Sequence, residues 1–129
     1  MCWTGKNNPQ IATEDMKVFK IFEYKNGEIL SPIMTMQWKR GKLAPHVEIP
    51  YSSSLYRIID EGYHSCRDLK IVPNYCKKVY VGGSFIFFHR TPAMYKQKRF
   101  IMLTCIIPKG TKYYENEYGE IVSETIKIL

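Results

Sequence analysis

The stretch Phe-Ile-Met-Leu-Thr-Cys-Ile-Ile, residues 100–107, is a nearly unbroken apolar run that ends at Pro108-Lys109-Gly110. Its length and the turn residues that bound it are typical of a strand buried on both faces, because a buried helix is usually longer. We therefore expect this strand to be central in its sheet. The side chains expected to be mostly buried, together with their alternates, are Ile101, Leu103, Cys105 and Ile107.

The segment that follows, Glu120 to Leu129, alternates as a strand does and places a carboxylate among apolar residues. Val122, Glu124, Ile126 and Ile128 share one face by their spacing. A carboxylate in a core-facing row costs several kcal/mol unless it is paired or solvated in a cleft. Glu124 is therefore a candidate for acid–base or cation-stabilising chemistry. The interpretation favoured over this one is a bulge or fray at Val122-Ser123 that turns Glu124 outward, to solvent or to a nearby Lys.

The bulk composition bounds the class of protein. The chain has 129 residues and 45% hydrophobic residues, which is enough to bury a core, and we expect one globular domain over residues 1–129. Its net charge of +7 permits a nucleic acid or another anionic partner without requiring one. Because the positive charge is dispersed in small groups, nucleic-acid binding is expected to be weak and nonspecific. These groups are Lys39-Arg40-Lys42, Lys77-Lys78 and Lys96-Lys98-Arg99.

The four cysteines indicate a reducing compartment rather than a metal site. No apolar leader precedes them and no apolar run approaches the ~20 residues that span a bilayer, so the prediction is a cytoplasmic chain with reduced thiols and no membrane association. The spacings His-x-Cys and Cys-x₉-Cys lack the short Cys pairs of zinc sites, and no metal is expected. Cys66 beside His64 is an alternative nucleophile and base.

The strand signals along the chain are stronger than the helix signals. Lys17 to Tyr24 predicts a first strand, and Asn26-Gly27 predicts a type I′ hairpin turn after it. Strands are also predicted at 78–81 and 84–89, joined by Gly82-Gly83. Three short helical segments are predicted, a turn at Thr13–Met16, a helix at 55–59 capped by Ser52–Ser54, and a helix at 69–72.

The predicted fold class is α+β. It is β-dominated, with a mostly antiparallel sheet of five to seven strands and two or three short helices.

Several short motifs resemble a group of small uncharacterised proteins carried by phages, prophages and other mobile elements of gut bacteria. The motifs are Trp38-x-x-Gly41, Gly62-Tyr-His-Ser-Cys66, Cys105-Ile-Ile-Pro-Lys-Gly110 and Gly119-Glu-Ile-Val-Ser123, and the resemblance covers residues 16–129. This resemblance implies a biological context but no mechanism. The function expected first is therefore a non-catalytic binding module with no cofactor, acting on a protein or another anionic partner.

A second resemblance concerns the layout of ADP-ribosyltransferase-like domains. Val18-Phe-Lys20-Ile resembles their first strand, with Lys20 where Arg or His is usual, and Ser123-Glu124 resembles their closing Glu, although no Glu-x-Glu is present. The resemblance implies NAD as cofactor and Glu124 and His64 as catalytic residues. The candidate ligand-binding residues are Lys20, Tyr24, Trp38, Tyr63 and Ser65. An ADP-ribosyltransferase-like domain, active or degenerate, is thus the second functional hypothesis.

Overall fold

A computed structural model of the chain describes residues 3–5, 8–31, 36–49, 57–59, 61–68, 76–81, 84–89 and 99–129. Across these residues the regular structure consists of thirteen strands, and none of it is helical. The strands are β1 (Trp3–Gly5), β2 (Gln10–Ile11), β3 (Met16–Lys25), β4 (Glu28–Leu30), β5 (Gln37–Trp38), β6 (Arg57–Ile59), β7 (Tyr63–Cys66), β8 (Cys76–Val81), β9 (Ser84–His89), β10 (Arg99–Ile107), β11 (Lys112–Glu115), β12 (Glu120–Ser123) and β13 (Lys127–Ile128).

The predicted α+β class is wrong, because the segments predicted to be helical form strands or bends wherever they are described. Residues 13 and 14 form a bend and β3 begins at Met16, so no helical turn forms there. Arg57–Ile59 is a strand that pairs with β1, with Trp3 opposite Ile59. The caps at Ser52–Ser54 and the helix predicted at 69–72 lie outside the described residues.

The main sheet is antiparallel and is built around β3 and β10. Its strand order is β2-β11-β12-β7-β3-β10-β9-β8, while β4 and β13 pair with β3 and β10 respectively and β5 pairs with β4. β10 pairs with β3 from Phe100↔Glu23 to Ile107↔Met16, and its other edge pairs with β9 and β13. The apolar run is therefore central, as its two-faced pattern predicts.

The burial of β10 is less complete than its sequence predicts. Cys105 and Ile107 are fully buried, whereas Ile101 and Leu103 are half-buried and only pack against the large core cluster. The two half-buried residues lie on the part of β10 that pairs with Lys20 and Phe22 of β3. The core is thus closed at one end of the β3–β10 pair and more open at the other.

The turn between β3 and β4 is the hairpin predicted from Asn26-Gly27. Both residues have positive φ, 53° and 77°, as a type I′ turn requires, and Lys25 pairs with Glu28. Asn26 is also the single non-glycine residue with positive φ in the described part of the chain. The turn fixes the register that carries Ile29 opposite Tyr24.

Two clusters of buried residues lie on opposite faces of the β11–β12 pair. Successive residues of a strand point to opposite faces, so Tyr113 and Ile121 enter the large cluster while Tyr114 and Val122 enter the small one. The large cluster contains Ala12, Met16, Val18, Phe22, Trp38, Ala44, Tyr63, Cys105, Ile107, Tyr113, Ile121, Ile126 and Ile128. The small cluster contains Trp3, Ile49, Ile59, Tyr114 and Val122. The β1–β6 pair therefore covers the second face of this part of the sheet.

The C-terminal segment is two strands with a break rather than one alternating strand. β12 ends at Ser123 and β13 begins at Lys127, with a bend at Glu124. The break shifts the alternation, because Val122 lies in the small cluster whereas Ile126 and Ile128 lie in the large one. Residues 121–126 are all buried, so the predicted single apolar face does not persist through the break.

Candidate functional site

Lys20 occupies a core-facing position in the middle of β3. Val18 and Phe22, its neighbours in the same row, are both fully buried in the large cluster. Leu103 of β10 lies opposite Lys20 on one side. On the other side β7 pairs with Phe19 through Cys66, and carrying that register one residue further places Ser65 opposite Lys20. An amine therefore stands in a row that is otherwise apolar.

The amine of Lys20 is held by a backbone carbonyl and aromatic rings. Its Nζ donates a hydrogen bond to the His64 carbonyl oxygen at 2.9 Å. It also lies 5.6 Å from the ring centroid of Phe22 and 5.9 Å from that of Trp38, within the range of cation–π attraction. Lys20 has no carboxylate partner among the described residues. Desolvation by burial lowers its pKa to about 8, and the nearby Cys105 and Cys66 thiols oppose that shift.

Trp38 and Tyr63 form the aromatic part of this region. The Trp38 ring packs edge-on against Phe22 and Tyr63, with centroids 5.1 and 5.5 Å away. The Trp38 indole N–H donates to Ser31 Oγ at 2.7 Å. The Tyr63 hydroxyl donates to the Pro45 carbonyl at 2.5 Å, and burial raises the pKa of that phenol. One hydrogen bond, from the indole N–H of Trp38 and from the hydroxyl of Tyr63 respectively, thus helps to hold each ring in place.

Ser65 joins this group, whereas Tyr24 does not. The Ser65 hydroxyl oxygen is buried and has no hydrogen-bond partner among the described residues. Tyr24 is 40% exposed at the hairpin end of β3. The structure therefore brings together four of the five residues predicted to bind a ligand, Lys20, Trp38, Tyr63 and Ser65.

Glu124 is buried, and its carboxylate pairs with His46. The residue is 7% exposed, and its Oε2 lies 2.5 Å from His46 Nε2. The strand does break beside Glu124, yet the break leaves its side chain inside, so the interpretation in which it turns outward is wrong. His64, the predicted catalytic partner, lies opposite Val122 on β7. Sequence reasoning missed His46, which is 78 positions away and carries no local signal of this contact.

The segment around His46 runs antiparallel to the chain end. Ala44 N–H donates to the Ile126 carbonyl and Val47 N–H to the Glu124 carbonyl, both at 2.9 Å. The Thr125 hydroxyl donates to the Ala44 carbonyl at 2.7 Å, and Leu43 bridges to Lys127. These bonds hold residues 43–47 in an extended conformation alongside residues 124–127.

A shallow cleft of about 310 Å³ opens between β5 and this segment. Its walls are residues 36–39 and 42–45, and Trp38 lines it from within. Lys39 and Lys42 line the cleft, Arg40 lies between them in sequence, and Lys127 bridges to Leu43; we call these four cations the basic corner. The Arg40 guanidinium donates to the Leu129 carbonyl at 3.0 Å. No acidic residue occurs between Met36 and Pro45 in the sequence, so the corner is locally uncompensated.

The two thiols of the described core are poor nucleophiles. Cys66 and Cys105 are free and buried, and burial raises their pKa values to about 11 and about 12. The Cys66 Sγ donates to the Phe19 carbonyl at 3.5 Å. A Cys66–His64 nucleophile and base are therefore disfavoured. In the described ranges no three His, Cys, Asp or Glu side chains are grouped so as to hold a metal ion.

Comparison with known proteins returned no relative, since no family model, curated protein or solved structure matches this chain. The portion of the chain that the structure describes also contains no helix long and apolar enough to cross a membrane.

Proposed function

We propose that the chain is a non-catalytic binding module whose partner is an acidic, extended segment of another protein, bound at the cleft beside Trp38. The observation that carries the proposal is the basic corner around a groove next to an open strand edge. On this proposal the module acts in the cytoplasm, where its buried thiols stay reduced.

The charge of the corner favours an anionic partner. Lys39, Arg40 and Lys42 are exposed on one turn, and neither lysine forms an ion pair within the described residues. Exposed uncompensated cations attract an acidic chain over about a Debye length and steer its approach. Leu43, which is 49% exposed, provides an apolar contact in the same cleft.

The edge of β5 favours an extended peptide. β5 pairs with β4 alone among the described strands. Ser31 N–H donates to the Met36 carbonyl at 3.0 Å, and Leu30 lies opposite Gln37. Because hydrogen-bonded and non-hydrogen-bonded pairs alternate, the backbone N–H and C=O of Gln37 point away from β4. They are available to an added strand, the mode in which main-chain bonds give affinity and side chains give specificity.

A single-stranded nucleic acid fits this site less well. Nucleic-acid grooves present aromatic faces on which bases stack. Trp38 is only 6% exposed, and its ring is already packed against Phe22 and Tyr63. An acidic peptide and a single-stranded nucleic acid are both anionic. Of the two, only the peptide has the backbone groups that can pair with the edge of β5.

The test is fluorescence anisotropy with a labelled peptide of alternating Glu and Val. We expect Lys39→Glu combined with Lys42→Glu to weaken binding at least tenfold, about 1.4 kcal/mol. The matched control, Lys25→Glu with Lys109→Glu, makes the same change in net charge at exposed positions outside the cleft and should lose much less affinity.

A second peptide with Pro at alternate positions lacks the N–H groups that a strand edge needs, so it should bind at least tenfold more weakly. Equal losses from both lysine pairs would contradict the proposal. So would tighter binding of single-stranded DNA of the same charge, or Glu124-dependent turnover of NAD, which would favour the transferase hypothesis instead.

A further inference from the structure

Lys20 and Ser65 form a pair of polar groups that the binding cleft does not use. Lys20 Nζ is held by one hydrogen bond to the His64 carbonyl oxygen, and the cleft is lined by residues 36–39 and 42–45. Ser65 lies opposite Lys20 by register, and residues opposite each other in an antiparallel pair have Cβ atoms about 4.5–5.5 Å apart on one face. Their side chains therefore face the same space.

The unpartnered hydroxyl is the unusual feature, because buried polar groups are normally hydrogen-bonded. The Oγ atoms of Ser65 and Ser123 are both inaccessible to solvent and have no partner in the described residues, and Ser65 is the one that lies opposite Lys20 by register. Leaving a buried hydroxyl unsatisfied costs about 1–3 kcal/mol. An acceptor that arrives from outside would recover that cost, and a carbonyl oxygen is the simplest acceptor that would also engage an amine.

We propose that Lys20 and Ser65 form a carbonyl-binding site, at which the Lys20 amine captures a small apolar aldehyde or ketone as a Schiff base. The nitrogen lone pair attacks the carbonyl carbon, and the carbonyl oxygen accepts a hydrogen bond from Ser65. Proton transfer from nitrogen to that oxygen gives a carbinolamine. Loss of the hydroxyl as water forms the C=N bond, so one amine and one carbonyl yield one imine and one water.

The surroundings favour an apolar carbonyl compound over a charged one. The Phe22 and Trp38 rings flank the amine, and Leu103 and Ile101 on β10 are half-buried beside it. Lys20, Ser65 and Leu103 are each half-buried rather than fully buried, so this row of side chains is partly accessible from solvent. The adjacent strands bring no carboxylate to the amine among the described residues.

The ionisation of the site agrees with this geometry. With a pKa of about 8, about half of the Lys20 amines are neutral at pH 8, against about 0.3% for a lysine at 10.5. The titratable groups that face it are Tyr63 and Cys66 on β7 and Cys105 on β10, and burial raises the pKa of each. All three stay neutral between pH 6 and 9, so they neither compete for the carbonyl nor distort the profile.

The experiment treats the full chain with benzaldehyde or propanal and cyanoborohydride, which reduces the imine to a stable amine, and locates the adducts by mass spectrometry. We expect Lys20 at pH 8 to be labelled at least tenfold faster than Lys17, an exposed lysine on the same strand. Cyanoborohydride reduces the protonated imine, a requirement common to both lysines, so the ratio of the Lys20 rate to the Lys17 rate is the readout; it should be large at pH 7–8 and fall as the pH rises towards 10.

Ser65→Ala should slow labelling of Lys20 at least threefold and leave Lys17 unchanged, whereas Ser65→Thr, which keeps the hydroxyl, should retain most of the rate. Labelling of Lys20 no faster than Lys17 in the unmodified chain overturns the proposal and needs no variant to fold. An unchanged Lys20 rate in Ser65→Ala overturns the role of Ser65. Because neither reagent depends on the basic corner, failure here is independent of peptide binding at the cleft.

Discussion

Lys20 and Glu124 are two ionisable residues in core-facing positions of the same sheet, and their environments differ. Glu124 has a side-chain partner, since the exposed His46 reaches in from the surface and its Nε2 lies 2.5 Å from the carboxylate. Lys20 has a carbonyl and two rings, but no carboxylate among the described residues. A desolvated amine without a carboxylate partner gives up its proton more readily than an exposed one.

The two residues also differ in how many contacts surround them. The Glu124–His46 contact lies where residues 43–47 are fastened to the chain end, and it is surrounded by backbone hydrogen bonds. Lys20 donates one hydrogen bond, to the His64 carbonyl oxygen, and its Nζ carries a lone pair when the amine is neutral. Glu124 thus lies among the contacts that hold residues 43–47 against the chain end, whereas Lys20 donates a single hydrogen bond.

The largest expected effect comes from Lys20→Met, which keeps the length of the side chain and removes the amine. Below pH 8 the folded chain must protonate a desolvated amine whose pKa falls from 10.5 to about 8, which costs about 3 kcal/mol. The folded pKa lies below the unfolded one, so this penalty is complete below pH 8 and disappears as the pH rises to 10.5. The variant should therefore be more stable than the wild type at pH 7, by up to about 3 kcal/mol.

Denaturant titrations at pH 7, 8, 9 and 10 measure the difference in unfolding free energy between Lys20→Met and the wild type. This difference should shrink as the pH rises. The wild type alone is a poor readout above pH 9, because the raised pKa values of Cys66 and Cys105 make stability fall there. Both chains contain the same thiols, so the difference between their unfolding free energies at each pH cancels most of the contribution of thiol ionisation. Lys17→Met is the control at an exposed position of the same strand, and a Lys20→Met gap that does not change with pH would contradict the desolvated amine.

An intermediate effect is expected from His46→Ala, which leaves the buried Glu124 carboxylate without its partner. The loss of stability at pH 7 should be about 1 kcal/mol, because the His46 side chain is 66% exposed and water competes for the contact. A double-mutant cycle with Glu124→Gln isolates the contact, and the coupling between His46 and Glu124 should be at least about 0.5 kcal/mol.

The same cycle with His64→Ala is the control and should show coupling near zero, because His64 lies opposite Val122. Strong coupling between His64 and Glu124 with none to His46 would restore the pairing that the sequence resemblance implied.

The smallest effect is expected at the surface pair of Arg67 and Glu115. The guanidinium donates twice to the carboxylate, at 2.8 and 3.2 Å, but the Arg67 side chain is 45% exposed. Arg67→Ala should cost at most about 1 kcal/mol, because water competes for both partners. Raising the salt concentration to 0.5 M should shrink this cost further, because salt screens exposed charges.

Local patterns in the sequence predicted the strands well where two signals agreed. The hairpin at Asn26-Gly27 and the central strand at 100–107 combine an apolar pattern with a turn whose backbone requirement is specific. The helix predicted at 55–59 rests on three apolar residues at helical spacing. Three residues are too few to distinguish the helical period of 3.6 residues from the strand period of two. Pairing with β1, more than fifty positions away, decided the outcome as a strand.

The candidate site was also predictable only in part, because its contacts join segments that are distant in sequence. The prediction of Lys20 and Ser65 rests on the layout resemblance to ADP-ribosyltransferase-like domains, which does not say that the two side chains lie side by side. Their juxtaposition depends on the β3–β7 register, and the contact between His46 and Glu124 depends on how residues 43–47 dock on the chain end. Neither arrangement has a local signature, because tertiary pairing of distant segments creates it.

The pairing of β3 with β10 also sets the order in which the chain can fold. β10 leaves the ribosome roughly 80 residues after β3, which takes several seconds at about 5–20 residues per second. During that interval β3 has emerged without its longest partner, and its apolar residues Val18, Ile21 and Phe22 have no β10 to pack against. Such a segment is a template for intermolecular pairing and a natural target for chaperones that bind extended apolar chains. Its contacts are distant in sequence, so refolding should be slow, in milliseconds to seconds.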